Sequence, residues 1–553
     1  MSQASTLTDK TRLGTSEPNR ARRGLIAAYL GVLMIAFAWW AARDLEKRVF
    51  WADEGYTVLM LGPGFYAAGD LFNREIEPGK VYSREQIRTA FDIKDRTDTP
   101  ILGTLQVLTT QEHRHVPLYF SLASIWCKLF GTTVGALRSL SLIFAVLQIP
   151  AMYWFASSLL RSRLGGCIGA ALVAGSPFHM IYAQEARPYS LWALLTMVCS
   201  SLLLVAMRRN RIGVWVGYGV SLVAMCYTHM LALTTVAAQA VFVWTREGWR
   251  KSDNWRRFLI SAGIACATAV PWAIVGAIEY SHKPTNYTHI PVTPQEFAGR
   301  WLDNLTLLFC SLPSLPLNVI VVLEIVAIAL LFVPKDKTAR NFLLPMILFS
   351  VAPLLVPDLI QGGQRSLALK YMTPAVVAGF AAVTSALTAG LLDRNRWAKI
   401  VSSICLTLIL GLELGSAAGY YYSGFNRKVP GEFVKLVRQL RMMKQPAMVI
   451  KSINVVENHR ALYGKAIAMD MAFAAPINTQ FVYYGSADVP AMPKQWNEAI
   501  YIGWNRKDLA AFPAGFTATK IERDLWLVSN QKQEMPAESD MPTTVPESES
   551  EDN

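Results

Sequence analysis

Long apolar stretches separated by short basic segments dominate the first 421 residues. A helix needs ~20 mostly apolar residues to cross a bilayer. A shorter stretch, 116–131, holds about 16 residues and includes Lys128. Eleven other stretches have the length and composition of spans: 24–43, 137–160, 164–182, 189–207, 212–228, 230–245, 258–279, 317–334, 342–358, 371–392 and 400–421. The pattern predicts an α-helical polytopic membrane protein with about 11 transmembrane helices.

The basic segments decide how the ambiguous stretch 116–131 is placed. Six clusters hold 21 bases and 4 acids: 10–23, 161–163, 208–211, 246–257, 335–340 and 394–399. Cytoplasmic loops carry an excess of Lys and Arg. All six clusters face the cytoplasm only if 116–131 does not span. We therefore predict a juxtamembrane or re-entrant helix there, an inside N-terminus and an outside C-terminus.

The first apolar run has an alternative interpretation as a cleaved signal peptide. Ala36-Phe37-Ala38 resembles a small-residue cleavage site. The run continues through Trp39 to Ala42 and follows a lead of 23 residues, which favours a retained membrane anchor.

The pattern divides the chain into four parts. Residues 1–23 form a basic cytoplasmic N-terminus, and 24–421 form the transmembrane domain, whose first external loop is 44–135 with a helix at 83–91. Residues 425–530 alternate a helical segment with strand-like runs, which predicts a small extracytoplasmic α/β domain. The Glu/Ser/Pro-rich tail 531–553 is expected to be disordered. The helical segment is 431–443, and the runs are 448–451, 480–484, 499–503 and 526–529.

Composition narrows the functional class. The chain is 52% hydrophobic and 17% charged, with a net charge of +13 and a mean hydropathy of +0.27. These values exclude a disordered chain, a fibrous chain and an ordinary cytosolic enzyme. The positive charge lies in short clusters between apolar runs, which argues against nucleic-acid binding. No cysteine follows Cys405, so the C-terminal region has no disulfide framework.

Four polar segments fall on the predicted external face and are candidates for chemistry. Two adjacent acids, Asp53 and Glu54, lie in a segment that begins at Trp51, eight residues after the first span. They could serve as a general base or metal ligand, or they could simply favour the positive end of a helix dipole. In the second segment, 112–119, His113 and His115 could orient a substrate, or could be polar groups at the membrane interface.

The other two segments lie between later spans. Glu185 and Arg187 sit in a short turn between apolar helices, where a charge is costly unless it is paired or functional. A self-contained Glu185–Arg187 ion pair is the alternative interpretation. Arg365 and Lys370 lie in the loop 361–371, which contains no acid. They predict an anion site, with lipid head groups as the alternative partner.

Together these segments resemble the GT-C superfamily of integral-membrane glycosyltransferases. The similarity is to bacterial proteins with a dolichyl-phosphate-mannose protein mannosyltransferase-like domain, a group that includes the aminoarabinose transferase of lipid A. It covers roughly 24–240, and more loosely extends to about 420. The segments that carry it are WADEGY, HVPLYF, GALRSLS, SPFHMIYAQEARPYS and RSLALKYMTP.

The resemblance implies an inverting transferase that takes a sugar from a polyprenyl phosphate on the outer face of a bacterial inner membrane. It implies that Asp53 is catalytic, with Glu54 as its neighbour and Glu185 as a second-loop acid. His115-Val116-Pro117 departs from the commoner His-Pro-Pro form of the family. The residues expected to contact substrate are His113, His115, Tyr119, Arg138, Tyr182, Arg187, Arg365, Lys370 and Tyr371.

Some features of the implied function stay open at the level of sequence. No cofactor is required, although a divalent metal, Mg²⁺ or Mn²⁺, is compatible with the acid pair. The acceptor is a lipid, a protein or a polysaccharide. Two other functions fit the same membrane pattern: a ligase that transfers a whole lipid-linked glycan, and a non-catalytic polyprenyl-lipid flippase or transporter.

Overall fold

The structure is a computed structural model of the full chain, and it is described for part of the residues. These are 17–43, 45–46, 50, 52–61, 76–77, 79–89, 100–248, 252–282, 292–310, 337–423, 436, 439–451, 475, 478–484, 493, 496–502, 516–522 and 525–529. The predicted span 317–334, most of the predicted helix 431–443 and the tail 531–553 lie outside them.

Helices make up most of the described chain. Those of the N-terminal half are α1 (Glu17–Ala42), α2 (Ala52–Leu61), α3 (Arg84–Thr89), α4 (Pro100–Thr110), α5 (Pro117–Phe130), α6 (Val134–Leu160), α7 (Arg163–Gly175), α8 (Pro177–Ala183), α9 (Tyr189–Arg209), α10 (Ile212–Cys226) and α11 (Ala232–Glu247). The later ones are α12 (Asp253–His282), α13 (Pro294–Thr306), α14 (Lys337–Gln361), α15 (Thr373–Leu391) and α16 (Arg396–Ser423). Two 3-10 turns, Arg365–Leu367 and Leu369–Met372, connect α14 to α15.

Seven of the described helices are long and apolar enough to cross a membrane: α1, α6, α9, α12, α14, α15 and α16. The bent pair α7–α8 brings the number to eight. The predicted spans 212–228 and 230–245 appear as α10 and α11, with 15 and 16 residues. The polytopic helical class is therefore confirmed, while the count of 11 stays a prediction. The ambiguous stretch 116–131 forms the 14-residue helix α5, which is short for a straight crossing.

The predicted single span 164–182 is broken in the structure. α7 and α8 meet at an angle of 59°, with Ser176 between them. The Ser176 hydroxyl accepts a hydrogen bond from the His179 amide at 3.4 Å and caps α8, and Pro177 occupies the first turn. A Ser-Pro pair at this point is a helix-start signal. The continuous apolar pattern hid it.

The basic helix ends lie together at one end of the bundle. Arg208 donates to the Ser158 carbonyl, Arg257 donates to the Asn210 carbonyl at 2.6 Å, and Arg246 donates to Thr338 at 3.2 Å. The turns that carry the candidate chemistry connect the same helices at the other end.

The C-terminal region forms a sheet, as the strand-like runs predicted. Its strands are β1 (Val81–Ser83), β2 (Ala447–Lys451), β3 (Gln480–Tyr484), β4 (Glu498–Ile502), β5 (Thr517–Glu522) and β6 (Leu525–Ser529), in the order β1-β3-β2-β4-β6-β5. β2 pairs in parallel with both β3 and β4, and the remaining pairs are antiparallel. The sequence did not predict β1 and β5.

The edge strand β1 comes from the first external loop. The Gly79 amide donates to the Tyr483 carbonyl at 2.9 Å, and the Arg84 amide donates to the Thr479 carbonyl at 3.1 Å. Directly after β1, Ser83 and Gln86 exchange hydrogen bonds of 2.8 and 3.2 Å and begin α3 as a capping box. The first loop and the C-terminal domain therefore share one sheet.

Candidate functional site

Asp53 lies in the first turn of α2 and faces the loop before α15. The Lys370 ammonium donates a hydrogen bond to Asp53 Oδ2 and forms an ion pair with it. The Asp53 side chain is 24% exposed and that of Lys370 15% exposed. Residues 317 positions apart thus meet in a pair that a solute can reach.

Glu54 has the opposite environment. Arg138 donates from Nε and Nη2 to its two oxygens at 2.8 and 2.7 Å, and the Ala186 amide donates to Oε1 at 3.0 Å. Glu54 is 0% exposed and Arg138 is 1% exposed. Both predicted site residues are therefore enclosed, and they hold α2, α6 and the turn after α8 together.

Arg187 connects three of the predicted segments. Its Nη1 donates to the Asp53 carbonyl at 3.0 Å and to the Thr57 hydroxyl at 3.2 Å. Its Nη2 donates to His115 Nε2 at 2.9 Å. Because a guanidinium only donates, this bond fixes the neutral His115 tautomer with its proton on Nδ1. Nδ1 faces the Glu112 carboxylate at 3.4 Å.

The turn between α8 and α9 is anchored on both sides. Gln184 donates to the Ala41 carbonyl at 2.7 Å, and the Ser190 hydroxyl donates to the Tyr182 carbonyl at 2.7 Å. The Thr57 hydroxyl donates to the Ala186 carbonyl at 2.9 Å. Glu185 in this turn is buried, 2% exposed, and is held beside the Asp53 pair.

The loop between α14 and α15 is organised by an acid just before it. Asp358 accepts hydrogen bonds from the Ser366 amide and hydroxyl at 2.6 and 2.8 Å, and it pairs with Arg365 at 3.2 Å. The expectation that Arg365 and Lys370 lack a counter-charge is therefore wrong: Asp358 supplies one and Asp53 the other. That either base contacts a phosphate stays a prediction.

Aromatic rings surround the ammonium of Lys370. Nζ lies 5.5 Å from the centroid of Tyr189 and 5.4 Å from that of Tyr371. The Tyr189 ring also contacts Tyr182, and His229 stacks on Trp192 at 4.0 Å while its ring lies 6.0 Å from Tyr371. The predicted residues Tyr182 and Tyr371 thus belong to one aromatic cluster.

Burial and charge set the ionisation of three groups outside the spans. Burial raises the pKa of Asp53, but the positive charges of Lys370 and Arg187 outweigh it and hold that pKa below its usual value. Burial lowers the pKa of His115. Burial raises the pKa of Glu185 to about 8. At neutral pH the site therefore contains an ionised Asp53, a neutral His115 and a mostly protonated Glu185.

Two predicted residues take supporting positions. Tyr119 is fully buried and shares a hydrogen bond of 2.8 Å with Ser141, whose hydroxyl also donates to the Arg187 carbonyl at 3.3 Å. His113 lies in the turn before α5, where its carbonyl approaches Gly276 of α12. Within the described ranges, no group of three or more His, Cys, Asp or Glu side chains could hold a metal ion.

Sequence reasoning missed four residues that complete the site. Asp358 and Trp272 lie inside apolar spans, and Trp272 donates to the His115 carbonyl at 2.9 Å. His229 follows an apolar helix with no motif around it. Thr57 had a usable signal, because it lies four residues after Asp53 and so on the same face of a helix.

Comparisons with known proteins address the fold. No family model matches the chain, and no curated protein matches it. Among solved structures, ArnT from Cupriavidus metallidurans in the apo state matches with a TM-score of 0.50 and 12% identity, over 92% of this chain and 98% of that one. ArnT bound to undecaprenyl phosphate matches over the same shares, at 12% identity, with a TM-score of 0.47. Arabinofuranosyltransferase AftD from Mycobacteria matches with a TM-score of 0.43 and 13% identity, over 92% of this chain and 42% of that one.

The match to apo ArnT establishes the fold of this chain at very low sequence identity. The polytopic helical fold that the sequence predicts is confirmed, and the chain shares it with ArnT.

Proposed function

We propose that the chain is an inverting glycosyltransferase that moves a sugar from a polyprenyl phosphate to an acceptor on the extracytoplasmic face of the membrane. The observation that carries this proposal is the reachable Asp53–Lys370 pair, at the end of the bundle opposite the basic helix ends. The positive-inside rule assigns the basic ends to the cytoplasm, so the pair faces outward.

The chemistry requires a base and a cation at one point. The acceptor oxygen attacks the anomeric carbon, the bond from that carbon to the phosphate oxygen breaks, and its electron pair stays on the leaving phosphate. Asp53 takes the acceptor proton, and general-base catalysis of this kind contributes typically ~10²–10⁴-fold. Lys370 remains protonated and neutralises the leaving phosphate, because a fixed cation stabilises charge that develops in the transition state.

The other residues receive supporting roles in this proposal. Arg187 fixes the backbone of Asp53 and is itself oriented by His115. Glu54 and Arg138 hold α2 against the turn that carries Glu185. Glu185 is mostly protonated at neutral pH, so we assign it a hydrogen-bond-donating role beside Asp53. A lipid-linked donor fits an outward-facing site, since nucleotide sugars are cytoplasmic. Undecaprenyl phosphate, the lipid in one of the ArnT structures, is the chemical class that we propose here.

The test is turnover of defined donors. Purified protein in nanodiscs is incubated with a panel of polyprenyl-phosphate sugars and candidate acceptors, and released polyprenyl phosphate is measured. The Asp53→Asn variant, which keeps the shape of the side chain and removes its charge, is the matched control. We expect release by the unmodified chain and a loss of at least ~10²-fold in Asp53→Asn. Equal release by both proteins would remove Asp53 from the mechanism.

A further inference from the structure

The ion pair between Lys370 and Asp53 poses a mechanistic problem for the proposed function. A carboxylate that accepts a hydrogen bond from an ammonium is a weaker base than a free one, because its charged form is stabilised. The same contact occupies Oδ2, one of the two carboxylate oxygens of Asp53 that could take the acceptor proton. In this arrangement the proposed base is therefore weakened.

The charge of Lys370 is stabilised by aromatic rings as well as by Asp53. Its ammonium lies 5.5 Å from the Tyr189 ring and 5.4 Å from the Tyr371 ring, and aromatic faces attract a cation by about 0.5–2 kcal/mol. The ammonium can thus leave Asp53 without leaving the aromatic cluster. Its flexible four-carbon stem permits such a shift.

The backbone of the loop that carries Lys370 is held by hydrogen bonds. Asp358 bonds the Ser366 amide and hydroxyl, and Asn304 of α13 donates to the Leu367 carbonyl at 2.7 Å. Arg300 of the same helix donates to Gln364 at 2.7 Å. Because these contacts fix the backbone of the loop, a change of partner at Lys370 is a side-chain movement.

A lipid phosphate competes with Asp53 for the Lys370 ammonium, and it becomes the stronger partner as the bond to the sugar breaks. The donor phosphate carries one negative charge, and the product monoester carries about −1.5 to −2 at neutral pH by analogy with phosphorylated side chains. The attraction of Lys370 to the phosphate therefore increases as the bond to the sugar breaks. At the same moment Asp53 loses its ammonium partner and becomes a better proton acceptor.

We propose that Lys370 is a phosphate-operated switch: its ion pair lowers the basicity of Asp53, and a polyprenyl phosphate that binds Lys370 releases Asp53 from that pair. This inference rests on the proposed function. It adds an order of events, in which the donor binds before Asp53 reaches its full basicity toward the acceptor, and it ties this gain in basicity to the charge on the leaving phosphate.

A double-mutant cycle on phosphate binding tests the switch without knowledge of the acceptor. The probe is geranylgeranyl phosphate, and its Kd is measured in nanodiscs for the unmodified chain, Asp53→Asn, Lys370→Met and the double variant. We expect Asp53→Asn to bind about tenfold more tightly, because Lys370 no longer has to leave a carboxylate. We expect Lys370→Met to bind at least about tenfold more weakly. Asp53→Asn should then have about a twofold effect or less in the Lys370→Met background.

The effect of Asp53→Asn in the two backgrounds distinguishes the switch from direct repulsion or screening of the phosphate. If Asp53 only repels the phosphate, Asp53→Asn tightens binding equally in both backgrounds. If Lys370 stays on Asp53 and screens it, Asp53→Asn has its larger effect when Lys370 is absent. Either result overturns the switch. Turnover of a donor together with either result leaves the proposed function intact, whereas no phosphate binding and no turnover by the unmodified chain removes the function itself.

A second measurement uses the unmodified chain and so does not depend on how the variants fold. A carbodiimide joins a carboxylate and an amine in contact, so it should form an amide bond between Asp53 and Lys370, detectable by mass spectrometry after proteolysis. Saturating geranylgeranyl phosphate should suppress that cross-link. A cross-link that persists at full yield with bound lipid, or that never forms without lipid, contradicts the proposal.

Discussion

At the scale of single residues, two adjacent acids lie in different environments. Asp53 is partly exposed and faces Lys370, whereas Glu54 is enclosed with Arg138. The sequence identified the pair but could not separate the two roles. Neighbours on a helix point in directions about 100° apart, and the partners come from α6 and the loop before α15. Only the fold brings those partners into place.

Because the Glu54–Arg138 pair is enclosed, we expect its removal to lower the stability of the chain. Glu54→Gln should destabilise the chain by about 3–5 kcal/mol, because it leaves the Arg138 charge buried without its counter-ion. The matched control is the double variant Glu54→Gln, Arg138→Met, which removes both charges and should be more stable than Glu54→Gln alone. Thermal unfolding in one detergent measures both. A double variant less stable than the single one would contradict the buried-pair interpretation.

The raised pKa of Glu185 should make the chain less stable as pH rises. Its pKa is raised by burial from 4.5 to about 8, so unfolding releases its proton over this range. The contribution of Glu185 to the free energy of unfolding is fully present below pH 4.5 and is lost as pH rises toward about 8. We therefore expect Glu185→Gln, which stays neutral, to gain stability relative to the unmodified chain between those values, and no further above them.

The comparison of Glu185→Gln with the unmodified chain cancels the titration of Asp53 and the other acids. The measurement is the difference in unfolding temperature at steps of pH from 4 to 9. A difference that does not change with pH would show that Glu185 is not held neutral in the fold.

At the scale of elements, the sequence predicted most helices and the core strands well. The runs 480–484 and 526–529 fall on β3 and within β6, because strand-like alternation bounded by polar turns is a local signal. β1 has three residues and pairs with a strand some 400 positions later, so no local pattern could reveal it. The bend between α7 and α8 was hidden for the opposite reason, because apolar residues continue through it.

Gly175, the last residue of α7 before the bend, should not tolerate a larger side chain. A Cβ at this position would lie 3.0 Å from Glu413 Cβ and 3.1 Å from its Cδ. The Glu413 Cβ is bonded to the backbone of α16 and cannot move aside freely. Gly175→Ala should therefore destabilise the chain by about 1–3 kcal/mol. Gly379→Ala is the control, since a Cβ added at that helical glycine would meet no atom beyond its own helix backbone within 4 Å. It should stabilise or leave the chain unchanged, by up to about 1 kcal/mol.

The two glycine variants are compared by thermal unfolding in the same membrane mimetic. Equal stability of Gly175→Ala and Gly379→Ala would show that α16 can withdraw from the bend. The close approach of Glu413 would then not be what restricts residue 175 at the bend.

At the scale of the whole molecule, the C-terminal sheet packs in the same hydrophobic cluster as the helix that carries Asp53. One face of the sheet packs into a cluster with α2 and α5 that includes Phe50, Val58 and Phe120. The other face packs on its own residues, including Val482 and Tyr501. Since successive residues of a strand face opposite ways, Val449 and Ile450 of β2 report on the two faces separately.

These two neighbours allow a test of whether the sheet positions Asp53. Both side chains are buried, Val449 at 0% and Ile450 at 1% exposure, but only Ile450 belongs to the cluster under α2. Ile450→Ala should destabilise by about 2–5 kcal/mol and should also lower donor turnover, because a cavity under α2 loosens the helix that presents Asp53. Val449→Ala should reduce stability with turnover of the folded fraction unchanged. The measurement is turnover per folded molecule beside unfolding temperature for both variants. If Ile450→Ala keeps full turnover while it melts earlier, the sheet stabilises the chain without governing the position of Asp53.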